Sequence, residues 1–216
     1  MYKILSSLSA WSVVLPFVVG CIFIKYFKKD SILLFSIVVI ALAPQLIHFF
    51  SPRSKIEMLS YNVYTVIEFL VYFSLFRTKI LRRETILLFW FIIGAYIVLS
   101  AYFVLQLDLM NRFINEIAVM NGIGCLVLIG AYFYETFLFD KGELTRTNPF
   151  FWYLIGILIY SACTTLVYSL WQRILDNPDS ILKNLWNLQN IFNILTYILF
   201  TIGFTATRTK NIHANK

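Results

Sequence analysis

The sequence predicts an all-α, polytopic membrane protein with seven transmembrane helices. Of its 216 residues, 60% are hydrophobic and only 13% are charged, and the mean hydropathy is +0.77. A soluble domain averages about 45–50% apolar and about 25% charged residues. The charged residues also leave apolar stretches long enough to cross a hydrocarbon core of about 30 Å as helices. Because the connections are short, residues 1–216 are expected to form a single transmembrane domain.

The predicted spans follow one another with little chain between them. They cover residues 4–24, 31–50, 60–76, 84–105, 114–138, 149–171 and 185–206. The first span lacks a preceding basic cluster and is followed by Lys25, Lys28 and Lys29, which favours a retained span over a cleaved signal peptide. Pro16 and Pro44 lie inside the first two spans, where proline can kink a membrane helix.

The fifth and sixth spans carry recognisable end signals. Asn148 can cap the sixth span, and Pro149 suits its first helical position. Glu116 and Glu135 lie toward the ends of the fifth span, so we expect both carboxylates to be interfacial and solvated.

The cysteines at 21, 125 and 163 all fall inside spans, which is typical of small packing residues and not of a disulfide framework.

The distribution of basic residues predicts that the N-terminus is outside and the C-terminus inside. One side of the membrane would carry Lys25, Lys28, Lys29, Arg77, Lys79, Arg82, Arg83, Lys141, Arg146, Arg208, Lys210 and Lys216. The other side would carry Lys3, Arg53, Lys55, Arg112, Arg173 and Lys183. The positive-inside rule places the richer side in the cytoplasm. The net charge of +7 is therefore interpreted as a topology and lipid signal, and not as a nucleic-acid signal.

Polar residues within the spans recur at helical spacing, which predicts that they face the bundle interior, where amides find partners. The stripes comprise Ala41, Gln45 and His48 on the second span; Tyr61, Thr65, Glu68 and Tyr72, flanked by Asn62 and Tyr64, on the third; Asn121, Cys125, Tyr132 and Glu135 on the fifth; Tyr160, Thr164 and Tyr168 on the sixth; and Trp186, Asn190, Asn193 and Tyr197, flanked by Asn187, on the seventh.

Glu68 is the sharpest single candidate for a functional residue. It lies about 10 Å along the helix from Tyr61 and the outer boundary, at about 1.5 Å per residue. A charge near the bilayer centre costs on the order of 2.5–3.5 kcal/mol on insertion scales, so such a residue marks a candidate functional site. The alternative is a protonated structural carboxyl that bonds to Asn190 or Asn193.

Several chemical classes find no support in the sequence. No GxSxG, HExxH, phosphate-loop or paired-carboxylate pattern occurs, so nothing argues for an enzyme, although one intramembrane carboxyl leaves that class open. With only His48 and His213, no histidine-based metal cluster can form. The seventh span has no lysine in its core for a retinal Schiff base. No cofactor is expected.

Spans three and seven share a pattern that predicts an internal repeat. At an offset of 125, Tyr61 and Asn62 align with Trp186 and Asn187, Glu68 aligns with Asn193, and Tyr72 with Tyr197. The repeats would cover residues 1–79 and 114–210, joined by span four. This three-plus-one-plus-three plan, with Pro44-Gln45 in the second span, resembles the SWEET-type sugar transporters and the bacterial nicotinamide-riboside transporters. The resemblance implies a binding site between the halves near the midplane.

The chain is also similar to small seven-helix proteins widespread in Bacteroidota-type bacteria. The stretches that carry this likeness are YNVYTVIEFLVYF (61–73), NPFFWYLIGILIYSA (148–162) and LWNLQNIFNILTYILF (185–200). The resemblance implies a bacterial inner-membrane location and supplies no mechanism.

Two functional hypotheses follow from the polar stripes. The first is a carrier or receptor with an intramembrane pocket for a small polar solute. Its expected ligand-binding residues are Glu68, Asn190, Asn193, Asn187, Trp186, Tyr64, Tyr72, Tyr197 and Gln45. The alternative is a sensory or interaction subunit that couples to a protein partner or a second copy, in which the amides serve only helix packing.

Overall fold

The computed structural model describes residues 2–52, 54–139, 145–171 and 183–214, and helices dominate all four ranges. The α-helices are α1 (Tyr2–Trp11), α2 (Val14–Phe23), α3 (Lys29–Phe50), α4 (Lys55–Arg77), α5 (Arg83–Gln106), α6 (Asn115–Phe139), α7 (Pro149–Ser169) and α8 (Lys183–Ala214). A 3-10 turn at Ile24–Tyr26 continues α2. The described part of the chain contains no strand. The basic residues Arg53, Lys141, Arg173 and Lys216 lie outside the described residues.

Seven helical segments are long and apolar enough to cross a membrane, which confirms the predicted all-α, seven-span class. They are Ile4–Tyr26, Lys29–Phe50, Lys55–Arg77, Arg83–Gln106, Asn115–Leu138, Pro149–Ser169 and Asn184–Arg208. Their bounds agree with the predicted spans to within a few residues, because charged and proline residues mark the ends. The chain is therefore a multi-pass membrane protein.

The first span is broken between α1 and α2, and Pro16 explains the break. Proline has no N–H to donate to the carbonyl of Ser12, four residues earlier. That carbonyl instead accepts from the Leu15 N–H at 3.2 Å, and the Ser12 hydroxyl donates to the Ser9 carbonyl at 2.6 Å. Pro44, by contrast, lies inside α3 without ending it.

Six of the spans form a ring, and the fourth lies outside it. Around the ring, α1–α2 packs on α3, α3 on α4, α4 on α6, α6 on α7 and α7 on α8, which returns to α1–α2. The peripheral helix, α5, packs on α4 and α6. The six helices follow one another around the ring in the order of the chain. Such an order arises with or without an internal repeat, so the repeat stays a prediction.

Aromatic rings fill the half of the ring that lies away from the N-terminus. Phe27 stacks on Phe204 with ring centroids 4.9 Å apart, and Phe76 meets Phe150 edge-on at 6.0 Å. Across the ring, the Tyr153 hydroxyl donates to Ser31 Oγ at 3.0 Å. This end of the bundle, here called the closed end, is thus held by direct side-chain packing. The other end, which holds α1 and the α5–α6 loop, is called the N-terminal end.

Glu135 was expected to be solvated, and that prediction is wrong. The side chain is fully buried at the closed end, where its carboxyl accepts from the backbone N–H groups of Leu81 and Arg82 at 3.1 and 2.7 Å. These N–H groups lie just before α5, where no carbonyl of a preceding helical turn accepts from them, so the buried carboxyl accepts instead. Glu116 is exposed and bonds to Arg112 at 2.8 Å, as an interfacial residue does.

The predicted cap of the sixth span is confirmed. The Asn148 side chain accepts from the Phe150 N–H, and Pro149 occupies the first helical position of α7. Among the cysteines, Cys125 and Cys163 are buried packing residues, whereas Cys21 is exposed on the outer surface of α2.

Candidate ligand-binding cavity

A cavity of about 420 Å³ occupies the N-terminal half of the ring. Each ring span contributes polar side chains to its wall, among them Ser9, Gln45, Glu68, Asn121, Thr164 and Asn190. The volume lies within the range of about 300–1,000 Å³ that is typical of small-molecule sites. It reaches from His48, which is exposed, to Glu68, which is 3% exposed. The cavity is therefore continuous from the N-terminal end into the bundle interior.

The structure brings together most residues that the helical spacing placed on the interior. The expected site residues that line the cavity are Gln45, Tyr64, Glu68, Trp186, Asn190, Asn193 and Tyr197. The stripes Ala41–Gln45–His48 and Tyr160–Thr164–Tyr168 line it as well. A helical stripe predicts a shared face only, and here the ring arrangement turns these faces toward one space.

Two expected site residues are not on the cavity wall. Tyr72 is buried behind Glu68, and its hydroxyl donates to Glu68 Oε1 at 3.4 Å. Asn187 is turned from the wall, and its Oδ1 is buried without a hydrogen-bond partner. Asn62 has a structural role: it donates to the carbonyls of Leu109 and Arg112 at 2.9 and 3.0 Å.

Glu68 closes the buried end of the cavity. Tyr64 donates to its Oε1 at 2.9 Å, and Asn121 donates to its Oε2 at 3.0 Å. Both carboxyl oxygens thus accept hydrogen bonds from neutral donors. The alternative prediction, that Glu68 bonds to Asn190 or Asn193, is wrong, because its donors are Tyr64, Tyr72 and Asn121. Tyr160 and Tyr197 lie within electrostatic range of the carboxyl.

Two amides of α8 bond to other helices. Asn193 Nδ2 donates to Ser9 Oγ at 3.0 Å, which joins α8 to α1. Gln189 Nε2 donates to Thr164 Oγ1 at 3.2 Å, which joins α8 to α7. Asn190 and Gln189 both line the cavity, and their Nδ2 and Oε1 atoms, respectively, are buried with no hydrogen-bond partner. Buried polar atoms without partners are rare and point to a bound molecule or water.

The mouth of the cavity combines a hydrogen-bonded pair, His48 and Glu57, with an aromatic cluster. His48 Nδ1 lies 2.7 Å from Glu57 Oε1. Beside it, Trp171 and Trp186 have ring centroids 5.0 Å apart, and Phe113 and Tyr168 are 5.2 Å apart. All of these side chains line the cavity. A solute entering from the N-terminal end would pass these rings before it reaches Glu68.

The described residues that line the cavity include two carboxyl groups and no lysine or arginine. Glu57 pairs with His48 at the mouth, and Glu68 is surrounded by hydroxyl and amide groups. The electrostatic character of the wall is therefore that of an acidic, aromatic site.

Sequence reasoning missed part of the wall. Ser6 and Ser9 of α1 line the cavity, as do Glu57 and Phe113. The run SSLSAWS at residues 6–12 was a signal, because serines at i and i+3 in an otherwise apolar span share a face. Phe113 lies in a connecting loop, and no helical periodicity could have placed it.

Comparison with protein-family models, with curated proteins and with solved structures finds no match to this chain. Within the described residues, no group of three His, Cys, Asp or Glu side chains could hold a metal ion. The fold and the site define a seven-helix membrane protein with a cavity, lined by polar and aromatic side chains, inside its helical ring.

Proposed function

We propose that this protein binds a small polar solute inside the helical ring and acts as its carrier or receptor. The observation that supports this proposal most strongly is the cavity itself, whose lining residues include Asn190 and Gln189, two side chains that each hold a buried amide atom without a hydrogen-bond partner. An unsatisfied buried polar group costs about 1–3 kcal/mol. A bound solute that supplies an acceptor and a donor would recover that cost.

The packing of the two halves of the ring supports entry from one end. The N-terminal half holds the cavity, and the closed end is filled by aromatic rings and by the ion pair between Lys79 and Asp30, 2.6 Å apart. A receptor needs only the opening at the N-terminal end, through which a solute can enter the cavity. A carrier would additionally separate Tyr153 from Ser31, a contact that joins opposite sides of the ring, and would loosen the stacking of Phe27 on Phe204 between neighbouring elements.

We place the protein in a bacterial inner membrane with the N-terminus outside, so that the cavity faces the periplasmic side. The excess of basic residues on the loops at the closed end supports this orientation. The likeness to small Bacteroidota-type membrane proteins supports the location.

The alternative is a sensory or interaction subunit whose amides serve only helix packing. That hypothesis needs a dry core in which the amides bond to one another, as in other membrane helix interfaces. Asn193 and Gln189 do join helices, whereas Asn190 and the open cavity favour solute binding. A receptor that passes solute binding on to a protein partner would combine both roles.

The test is thermal unfolding of the purified protein against a panel of small polar solutes: polyols, amino acids, amides and amines. A saturable rise in the unfolding temperature is expected for at least one class. Ala118→Phe places a ring in the cavity, since Ala118 lines it and is 2% exposed. Ala101→Phe makes the same change on the exposed surface of α5 and is the matched control.

The proposal predicts that Ala118→Phe abolishes the stabilisation by solute and that Ala101→Phe keeps it. The unfolding temperatures without solute show whether each variant is folded. If no class of solute stabilises the wild type, or if Ala118→Phe responds like the wild type, the cavity is not the binding site.

A further inference from the structure

We infer that the solute is a small organic cation that also carries a hydroxyl or similar hydrogen-bonding group. The inference rests on the proposed function and names the chemical class of its ligand. The cationic end would lie against Glu68 and the tyrosines around it, and the polar end against the unpartnered amides of α8.

The charges on the cavity wall favour a cationic ligand. Glu68 is 97% buried, since its exposed fraction is 3%, and its hydrogen-bond donors Tyr64, Tyr72 and Asn121 are all neutral. No lysine or arginine occurs among the described lining residues. A buried carboxylate is stable only when it is paired. A cationic ligand would supply positive charge beside Glu68. An anionic ligand would meet two carboxyl groups and no lysine or arginine among the described lining residues, and the imidazole on the wall, His48, already bonds to Glu57.

The groups around Glu68 suit an organic cation better than a metal ion. Sodium- or calcium-type ions require about six oxygen ligands at short distance. Both Glu68 oxygens already accept hydrogen bonds, and the neighbouring wall is made of the rings of Tyr64, Tyr160 and Tyr197. Aromatic faces near a carboxylate bind ammonium groups through cation–π attraction. The chemistry of the wall therefore suits an amine or a quaternary ammonium.

Two amides of α8 offer hydrogen bonds to the other end of the ligand. Asn190 Nδ2 is a donor and Gln189 Oε1 an acceptor, and both are unpaired on side chains that are at least nine-tenths buried. A hydroxyl can accept from an amide N–H and donate to an amide oxygen, so a ligand hydroxyl suits either of these groups. An amino alcohol carries both features in a size that a cavity of about 420 Å³ admits.

The experiment compares choline and ethanolamine with 3,3-dimethylbutan-1-ol, the uncharged carbon analogue of choline, and with ribose as a neutral polyol. Binding to the purified full-length protein is measured by calorimetry and by the rise in unfolding temperature. The wild type, Glu68→Gln and Glu116→Gln are compared. Glu116→Gln removes an exposed carboxylate on the same end of the bundle and does not touch this cavity, so it is the matched control.

The expected result is that choline or ethanolamine binds the wild type and Glu116→Gln equally, and that the uncharged analogue binds at least about tenfold more weakly. Glu68→Gln should lower the affinity for the cation by about tenfold or more, because it removes a buried countercharge, and should leave affinity for the uncharged analogue unchanged.

The inference is overturned if the analogue binds as well as choline, or if Glu68→Gln leaves cation affinity unchanged. Binding of ribose without binding of either cation overturns it too, while leaving the proposed function standing. If neither the cations nor ribose bind the wild type, the inference fails, and the wider panel of polyols, amino acids, amides and amines then decides whether the proposed function fails as well. Should Glu68→Gln unfold, the wild type alone decides: weaker binding of the uncharged analogue than of choline supports the inference, and equal binding overturns it.

Discussion

Asn121 of α6 donates a hydrogen bond of 3.0 Å to the carboxyl of Glu68 on α4, and thereby joins two helices at the buried end of the cavity. The same amide donates to the Thr65 carbonyl at 3.2 Å, and its Oδ1 accepts from Cys125. One side chain thus orients the only carboxyl that the described structure places at this depth of the cavity. The relationship makes Asn121 a positioning residue for Glu68.

Replacing Asn121 with alanine should destabilise the protein by about 1–3 kcal/mol, because Glu68 loses a donor in a buried setting. The free energy of unfolding in mixed detergent measures the loss. In a Glu68→Gln background the same replacement should cost less, since no carboxylate is left to be stabilised. Equal costs in the two backgrounds would show that Asn121 acts independently of Glu68.

Asn62 holds the α5–α6 loop, and its removal should be costly. It donates to the Leu109 and Arg112 carbonyls and accepts from the Ile114 N–H at 2.9 Å. Asn62→Ala leaves these loop groups unpaired and should lower stability by about 1–3 kcal/mol. Asn111→Ala in the same loop removes an exposed side chain and should cost little. Similar losses for the two variants would contradict the proposed role of Asn62.

Glu135 supports the α4–α5 loop at the closed end. Glu135→Ala removes the acceptor of the Leu81 and Arg82 N–H groups and should cost about 1.5–3 kcal/mol, the range for bonds to charged groups. Glu135→Gln keeps one carbonyl oxygen and should cost less. Hydrogen exchange at the two amides should accelerate most in the alanine variant, and unchanged exchange would count against the assignment.

Gly156 allows α7 and α8 to approach closely. A Cβ at Gly156 would lie 2.7 Å from Phe200 Cε1, a ring that is 1% exposed and cannot move aside. Gly156→Ala should therefore destabilise by about 1–3 kcal/mol. Gly94→Ala meets nothing within 4 Å and should be neutral or stabilising by up to about 1 kcal/mol. Unfolding measurements on both variants check the contrast.

The orientation of the protein can be measured by thiol labelling. In a variant without the native cysteines, Asp108→Cys places a thiol in the α5–α6 loop and Glu84→Cys places one at the start of α5. A membrane-impermeant reagent added to spheroplasts should label the first and reach the second only after lysis. The reverse pattern would place the cavity mouth in the cytoplasm.

Much of the fold could be read from the sequence, because the physics involved is local. Span boundaries follow from where charges and prolines interrupt apolar runs, and Pro16 marks the break between α1 and α2. Helical spacing likewise put Trp186, Asn190, Asn193 and Tyr197 on one face, and all of them line the cavity. Glu135 was predicted to be solvated because it lies near the end of a span, where side chains usually reach the membrane interface. The α4–α5 loop covers it instead, and no local pattern in the sequence indicates that contact.

The partners of each polar side chain were decided by the tertiary structure alone. Spacing could not reveal that Glu68 bonds to Asn121 and not to Asn190, because both lie on interior faces and only the order of helices around the ring brings one of them near. The sequence by itself determined which residues avoid lipid, since that depends on the cost of burying polar groups in hydrocarbon. The ring determined which of them meet, and which were left facing an open cavity.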